Sequence, residues 1–103
     1  EKILEIGPGL GALTTQILNK IDHINVVEID PDMIKALQEK IPSTSITIFS
    51  SNILEISNDS IAEYDKVIGN LPYYISSEIL IKMTKTIKNL KFMMMSFYNS
   101  NKS

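Results

Sequence analysis

Lys2-Ile3-Leu4-Glu5-Ile6-Gly7-Pro8-Gly9-Leu10-Gly11 joins a short apolar run to glycines at every second position. The run reads as a first strand over residues 2–6. Glycines spaced in this way let the backbone turn tightly and approach a ligand closely, at the carboxyl end of the strand, where open α/β sheets bind. The dinucleotide fingerprint asks for glycine at its sixth position, and here that position is Ala12, a permitted variant. The loop alone therefore leaves open a dinucleotide, another nucleoside cofactor, or a bare tight turn.

Downstream, Leu10, Leu13, Ile17, Leu18 and Ile21 recur at helical spacing, and Ile24 to Ile29 reads as a second, mostly β-branched strand. Glu28 ends that strand about twenty residues after the loop, where an acidic side chain can accept both ribose hydroxyls of a nucleoside. The plainer reading of Glu28 is a carboxylate facing water. Asp30 and Pro31 supply an N-cap and a first helical residue, Ile34, Leu37 and Ile41 an apolar helix face, and Pro42 a stop.

Ser45 to Phe49 alternates as a third strand, followed by Ser50-Ser51-Asn52-Ile53. Asn52 offers a base both a donor and an acceptor, and a turn role suits it equally. The polar stretch Ser57 to Glu63 reads as a surface connection, and Asp65 to Gly69 as a fourth strand. Ser76 then caps a helix repeating Ile79, Met83 and Ile87, Leu90 to Met95 reads as a fifth strand, and Asn99 to Ser103 carries no signal. Strands alternating with helices predict a Rossmann-like α/β fold, a mostly parallel sheet covered on both faces.

Asn70-Leu71-Pro72-Tyr73 stands where the fourth strand is expected to end. The combination suits a flat heterocycle with an exocyclic amine. The Asn70 carboxamide oxygen can accept one amine hydrogen, a backbone carbonyl beside Pro72 the other, and Tyr73 can lie on the ring face. Pro72 has a fixed φ and pushes Leu71 out of the helical region. An ordinary turn is the alternative.

Composition narrows the class. At 103 residues the chain forms one domain at most, and 44% hydrophobic residues read as globular. With no cysteine and one histidine, His23, no disulfide framework and no metal site are expected. No apolar run reaches the roughly 18 residues of a membrane span, so the cytoplasm is the expected location. A formal net charge of −2 argues against the chain gripping a phosphate backbone. Lys82, Lys85, Lys88 and Lys91, spaced by three, read as a solvated helix face, with a nucleic-acid contact as the alternative.

EIGPGLGALT, VEID and NLPYYIS, in this order and spacing, resemble the ribosomal RNA adenine N6-dimethyltransferase family, from residue 1 to about Met94. That family includes the small-subunit rRNA dimethyladenosine enzymes and the erythromycin-resistance methylases. The resemblance implies a class I methyltransferase core with strand order 3-2-1-4-5, S-adenosyl-L-methionine as methyl donor, and adenine in small-subunit rRNA or an immature ribosomal subunit as target. Carried over by motif, Gly7, Gly9 and Gly11 line the donor and Glu28 takes its ribose. Asn52 falls where the family usually has Asp against the donor's adenine. Asn70 and the Leu71 carbonyl hold the target amine, and Tyr73 stacks on the target base.

The chain departs from the family in three places. A segment before the first strand, carrying a Gln-Asn-Phe-Leu motif, is missing. Phe92-Met93-Met94 continues into Met95-Ser96-Phe97-Tyr98, not the family's pattern. The last sheet strands and the helical C-terminal domain are absent. The expectation is a partial donor-binding domain over residues 1–95 with a divergent tail over 96–103, from a truncated or frame-shifted reading frame, and slow or no transfer by the chain alone. Two other readings are an inactive nucleoside-binding remnant and a nicotinamide-dependent oxidoreductase. The latter leaves Asn70 to Tyr73 unexplained.

Overall fold

A computed structural model describes residues 1–72, 76–86 and 92–98. In chain order the elements are β1 (Ile3–Ile6), α1 (Ala12–Ile17), β2 (Ile24–Glu28), α2 (Pro31–Lys40), β3 (Ile46–Ser50), a 3-10 turn (Ile53–Glu55), α3 (Asn58–Ala62), β4 (Lys66–Pro72), α4 (Ser76–Thr86) and β5 (Phe92–Tyr98). All five strands pair in parallel in the order β3-β2-β1-β4-β5. This is the expected class I methyltransferase order.

β1 lies between β2 and β4, which pair with both of its edges, and all four of its residues are buried. On one face Leu4, Ile6, Val27, Val67 and Leu71 pack with Ile53, Ile61, Ile79 and Met83 from the 3-10 turn, α3 and α4. On the other, Ile3, Ile24, Val26, Ile46 and Ile68 pack with Leu37 and Ile41, flanked by Leu13 and Ile17 of α1. Helices thus cover both faces. None is long and apolar enough among the described residues to cross a membrane.

The element ends differ from the sequence expectations in ways that packing explains. Gly11 is the N-cap of α1, so the helix starts after Leu10, which stays in the loop and is 63% exposed. α1 stops at Ile17, and Leu18 follows as its C-cap. β2 stops at Glu28, leaving Ile29 65% exposed. The stretch expected as a surface connection, Ser57 to Glu63, holds α3 with its two caps. The Ser57 hydroxyl accepts from Ser60 N at 3.1 Å, and Ile61 is completely buried under the sheet. One apolar residue anchors that short helix, too few to make a periodic pattern.

β4 runs three residues further than expected. Asn70, Leu71 and Pro72 pair with Ser96, Phe97 and Tyr98 of β5, so the motif read as following the strand forms its last part. β5 is described from Phe92 and runs past the expected end at Met95, pairing as far as Tyr98. Ile79 and Met83 of α4 are buried as the helical repeat required. Tyr73, Ile87, Lys88, Leu90 and Lys91 lie outside the described residues.

Candidate active site

Four strand ends meet at the carboxyl edge of the sheet. The β1–α1 loop is tied to β2 by Gly7 N, which donates to Val27 O at 2.9 Å. The β3 end is tied to β2 by Ser51 N, which donates to Glu28 O at 3.2 Å. Between them opens a cavity of about 550 Å³ whose lining includes Gly7, Gly9, Glu28, Asn52, Asn70 and Leu71. The structure thus gathers six of the eight sequence-predicted site residues around one space. Tyr73 lies outside the described residues, and Gly11 lies outside the lining.

The loop glycines do different work. Gly9 has φ +59°, and a Cβ built there meets nothing within 4 Å. Gly11 has φ +85°, and a Cβ there would come within 2.7 Å of Leu37 Cδ2. Both need the left-handed backbone that glycine adopts without penalty. Gly9 serves the cavity, whereas Gly11 lets the start of α1 press against α2. Lys40, in the last turn of α2, also reaches the loop, its Nζ donating to Leu10 O at 3.1 Å.

Glu28 does not face water; it is 8% exposed. Its Oε1 accepts from Gly9 N at 3.2 Å, and its Oε2 accepts from Ile29 N and Asp30 N, each at 3.1 Å. Three backbone donors hold a carboxylate with about four acceptor positions, and the remaining one is on Oε1. Asp30 caps α2 as expected, accepting from Asp32 N at 2.8 Å. Asn52 combines its two readings. It lines the cavity, and its Oδ1 accepts from Leu54 N at 2.9 Å as the cap of the 3-10 turn. Asn70 is exposed at the cavity wall, while the Leu71 side chain is buried in the core.

Glu5, part of the EIGPGLGALT motif, carries no role in the reading of the sequence. Glu5 is 3% exposed, in the middle of β1, and accepts a hydrogen bond from the Thr14 hydroxyl. Burial pushes its carboxyl above the ordinary value; the Thr14 hydrogen bond pulls it down and the Glu28 charge pushes it further up. The available signal was a carboxylate inside an otherwise apolar strand leading to a glycine loop. His23 lies elsewhere, bonded to Thr44 O at 3.0 Å and Thr47 Oγ1 at 2.7 Å. No cluster of metal-ligating side chains occurs among the described residues. In the lysine row, Lys82 Nζ donates to Asn58 Oδ1 at 3.0 Å and ties α4 to the start of α3.

Comparison with known proteins agrees with this geometry. A family model described as ribosomal RNA adenine dimethylase matches residues 1–100. The chain is 40% identical over 91 residues to ribosomal RNA small subunit methyltransferase A of Nitrosospira multiformis, covering 88% of the chain and 35% of that relative. It is 44% identical over 85 residues to the protein of that name from Mycoplasma mycoides, covering 78% and 32%. The chain spans about a third of the length of these curated relatives.

Among solved structures, the 23S rRNA methyltransferase ErmE superposes with a TM-score of 0.67 at 25% identity, over 86% of the chain and 36% of its own. An rRNA methylase from Streptococcus thermophilus shares the fold, with a TM-score of 0.73 at 12% identity over 96% and 62%. The nicotinamide-dependent oxidoreductases that a glycine loop alone permits are set aside by the family match. The chain belongs to the ribosomal RNA adenine dimethylase family.

Proposed function

We propose that this chain carries the donor-binding and adenine-binding residues for methyl transfer from S-adenosyl-L-methionine to the exocyclic amine of adenine in small-subunit rRNA, in the cytoplasm. The observation that carries the reading is that one cavity joins the glycine loop and Glu28 to Asn70 and Leu71. Its volume of about 550 Å³ suits a nucleoside-sized ligand. The open space in front of Gly9 is where a Cβ would intrude on that ligand. The Oε1 of Glu28 retains an acceptor position for a ribose hydroxyl, and Ile29, Met33, Ile53 and Leu54 offer apolar walls to a base.

When bound, S-adenosylmethionine supplies an electrophilic sulfonium methyl. The protein's own part is positioning. An adenine amine is a poor nucleophile because its lone pair is delocalised into the ring. The Asn70 carboxamide oxygen and the Leu71 carbonyl supply two acceptors, which favour an amine nearer tetrahedral with its lone pair directed at the methyl. Pairing of Asn70 and Leu71 with β5 holds these acceptors in register, and a displacement of about 1 Å can cost ~10²-fold in rate. Tyr73 is assigned to stacking on the target base by its place in the motif. No titrating base is needed among residues 70–73.

The test is a tritiated-methyl transfer assay on immature small ribosomal subunits, run beside calorimetry with S-adenosylhomocysteine and NAD. The expected result is binding of S-adenosylhomocysteine and not NAD, with slow transfer to adenine N6 that Asn70→Ala removes. Binding of NAD in preference would overturn the donor assignment. Transfer that Asn70→Ala leaves unchanged would overturn the assignment of the target amine to Asn70.

A further inference from the structure

A second cavity, of about 330 Å³, lies between α3 and the sheet, and none of its lining residues is shared with the candidate active site. Leu4, Asn25 and Phe49 reach it from three adjacent strands, and Ile56 and Tyr64 flank it from the two ends of the α3 segment. The 3-10 turn divides the two spaces: Ile53 and Leu54 line the first, whereas Ile56, the C-cap of that turn, lines the second. Asparagine is depleted within strands, and Asn25 stands in β2, between β1 and β3. Its Nδ2 donates to the Tyr64 hydroxyl at 2.5 Å, and Tyr64 is only 8% exposed. Neither side chain makes another hydrogen bond among the described residues. The pair therefore retains an acceptor, Asn25 Oδ1, and a donor, the Tyr64 O–H, side by side in the lining.

We propose that this cavity is a second binding site, for a small neutral planar lactam, a ring with an N–H and a carbonyl on neighbouring atoms. The ring N–H donates to Asn25 Oδ1, and the ring carbonyl accepts from the Tyr64 hydroxyl. Leu4, Ile56 and the exposed Phe49 give the rest of the ring apolar surface. The charge at the cavity is already matched, because Lys2 Nζ lies 3.5 Å from Glu63 Oε1 and 4.8 Å from the centroid of the Tyr64 ring. A neutral ligand therefore fits better than an ion. The volume is at the small end of the range for ligand sites, which suits a compact ring. Buried polar groups in folded proteins find hydrogen-bond partners, and such a ring supplies both that this pair still lacks.

The experiment is a titration of the nitrogen-15-labelled chain with 2-pyridone, followed through its amide signals by nuclear magnetic resonance. 2-Pyridone is expected to shift the signals of Asn25, Phe49 and Tyr64 and to leave those of Gly9 and Asn52 in place, with a Kd of about 1 mM, the scale for so small a ligand. N-Methyl-2-pyridone, which has no N–H to donate, is expected to bind about fivefold to tenfold more weakly. Asn25→Val and Tyr64→Phe should each weaken 2-pyridone by a similar factor, since each removes one of the two hydrogen bonds. The two variants lie on different elements, and the urea midpoint of each shows whether it remains folded. The absence of a saturable shift at Asn25, Phe49 and Tyr64 would overturn the proposal. So would equal binding of 2-pyridone and its N-methyl form, or equal binding by the parent and a folded variant.

Discussion

Replacing Gly11 with alanine adds one methyl group where the fold leaves no room for it. The residue has φ +85°, and the new Cβ would lie 2.7 Å from Leu37 Cδ2 and 3.9 Å from both Ile41 Cδ1 and Thr14 Cβ. The left-handed backbone costs an L-residue about 1–2 kcal/mol. Carbon atoms prefer separations of about 3.5–4.0 Å, so Leu37 must shift, and overpacking of this kind costs about 1–3 kcal/mol. Leu37 is fully buried in the core, so its methyl cannot turn into solvent. Alanine returns about 0.4–1 kcal/mol by restricting the unfolded chain. The expected net loss is about 2–4 kcal/mol, a large part of the roughly 5–15 kcal/mol that holds a small domain together.

Gly9→Ala is the matched control. It meets the same backbone penalty at φ +59° but no neighbouring atom within 4 Å, so it should cost less stability by the overpacking share, about 1–3 kcal/mol. Urea unfolding followed by far-ultraviolet circular dichroism measures both. Adding Leu37→Val, which shortens the opposing side chain, should recover part of the Gly11→Ala loss, with a coupling of about 1 kcal/mol or more. Equal losses for the two glycine variants, or strict additivity with Leu37→Val, would refute the assignment of Gly11 to packing and Gly9 to the cavity.

Two further outcomes follow from the carboxylates. Glu28→Gln leaves one oxygen to serve Gly9 N at one side and Ile29 N and Asp30 N at the other. S-adenosylhomocysteine binding, read by calorimetry, should weaken by about 1.5–3 kcal/mol, and unchanged affinity would remove Glu28 from the site. Glu5 titrates above its ordinary value of 4.5 in the folded chain, so the folded state holds that proton more tightly than the unfolded state. Stability should therefore fall as pH rises through the window from 4.5 up to the raised value, with the full penalty present above that window. Glu5→Gln keeps an acceptor for the Thr14 hydroxyl and loses the charge. It should be more stable than the parent at pH 7, with the gap closing as pH falls through that window towards 4.5; a parent more stable at neutral pH would contradict this.

What could be read from the chain by itself was whatever depends on near neighbours in sequence. The strand-glycine junction at residues 2–11, the Asp30-Pro31 helix start and the Ile79–Met83 repeat express backbone preference and periodicity, which act over a few residues. Their alternation was enough to predict a mostly parallel sheet, and the motif order and spacing carried the family resemblance that implied the strand order. Glu28 could be nominated because its distance from the loop is set by one βαβ unit.

Other features needed the tertiary structure because they depend on contacts between distant segments. Asn70 and Leu71 belong to β4 because Ser96 and Phe97 pair with them from another strand, and no local signal carries that register. Ile61 is buried because the sheet lies under α3, although its own segment is polar. The resemblance groups Gly11 with the donor-lining glycines; only the approach of Leu37, from the next helix, shows that it is also constrained by packing. Likewise Glu5 becomes a perturbed acid only when β1 is enclosed on both faces and Thr14 and Glu28 are brought beside it. Periodicity and spacing report how a segment is built; which groups share a cavity or lose their water is decided by the packing of whole elements.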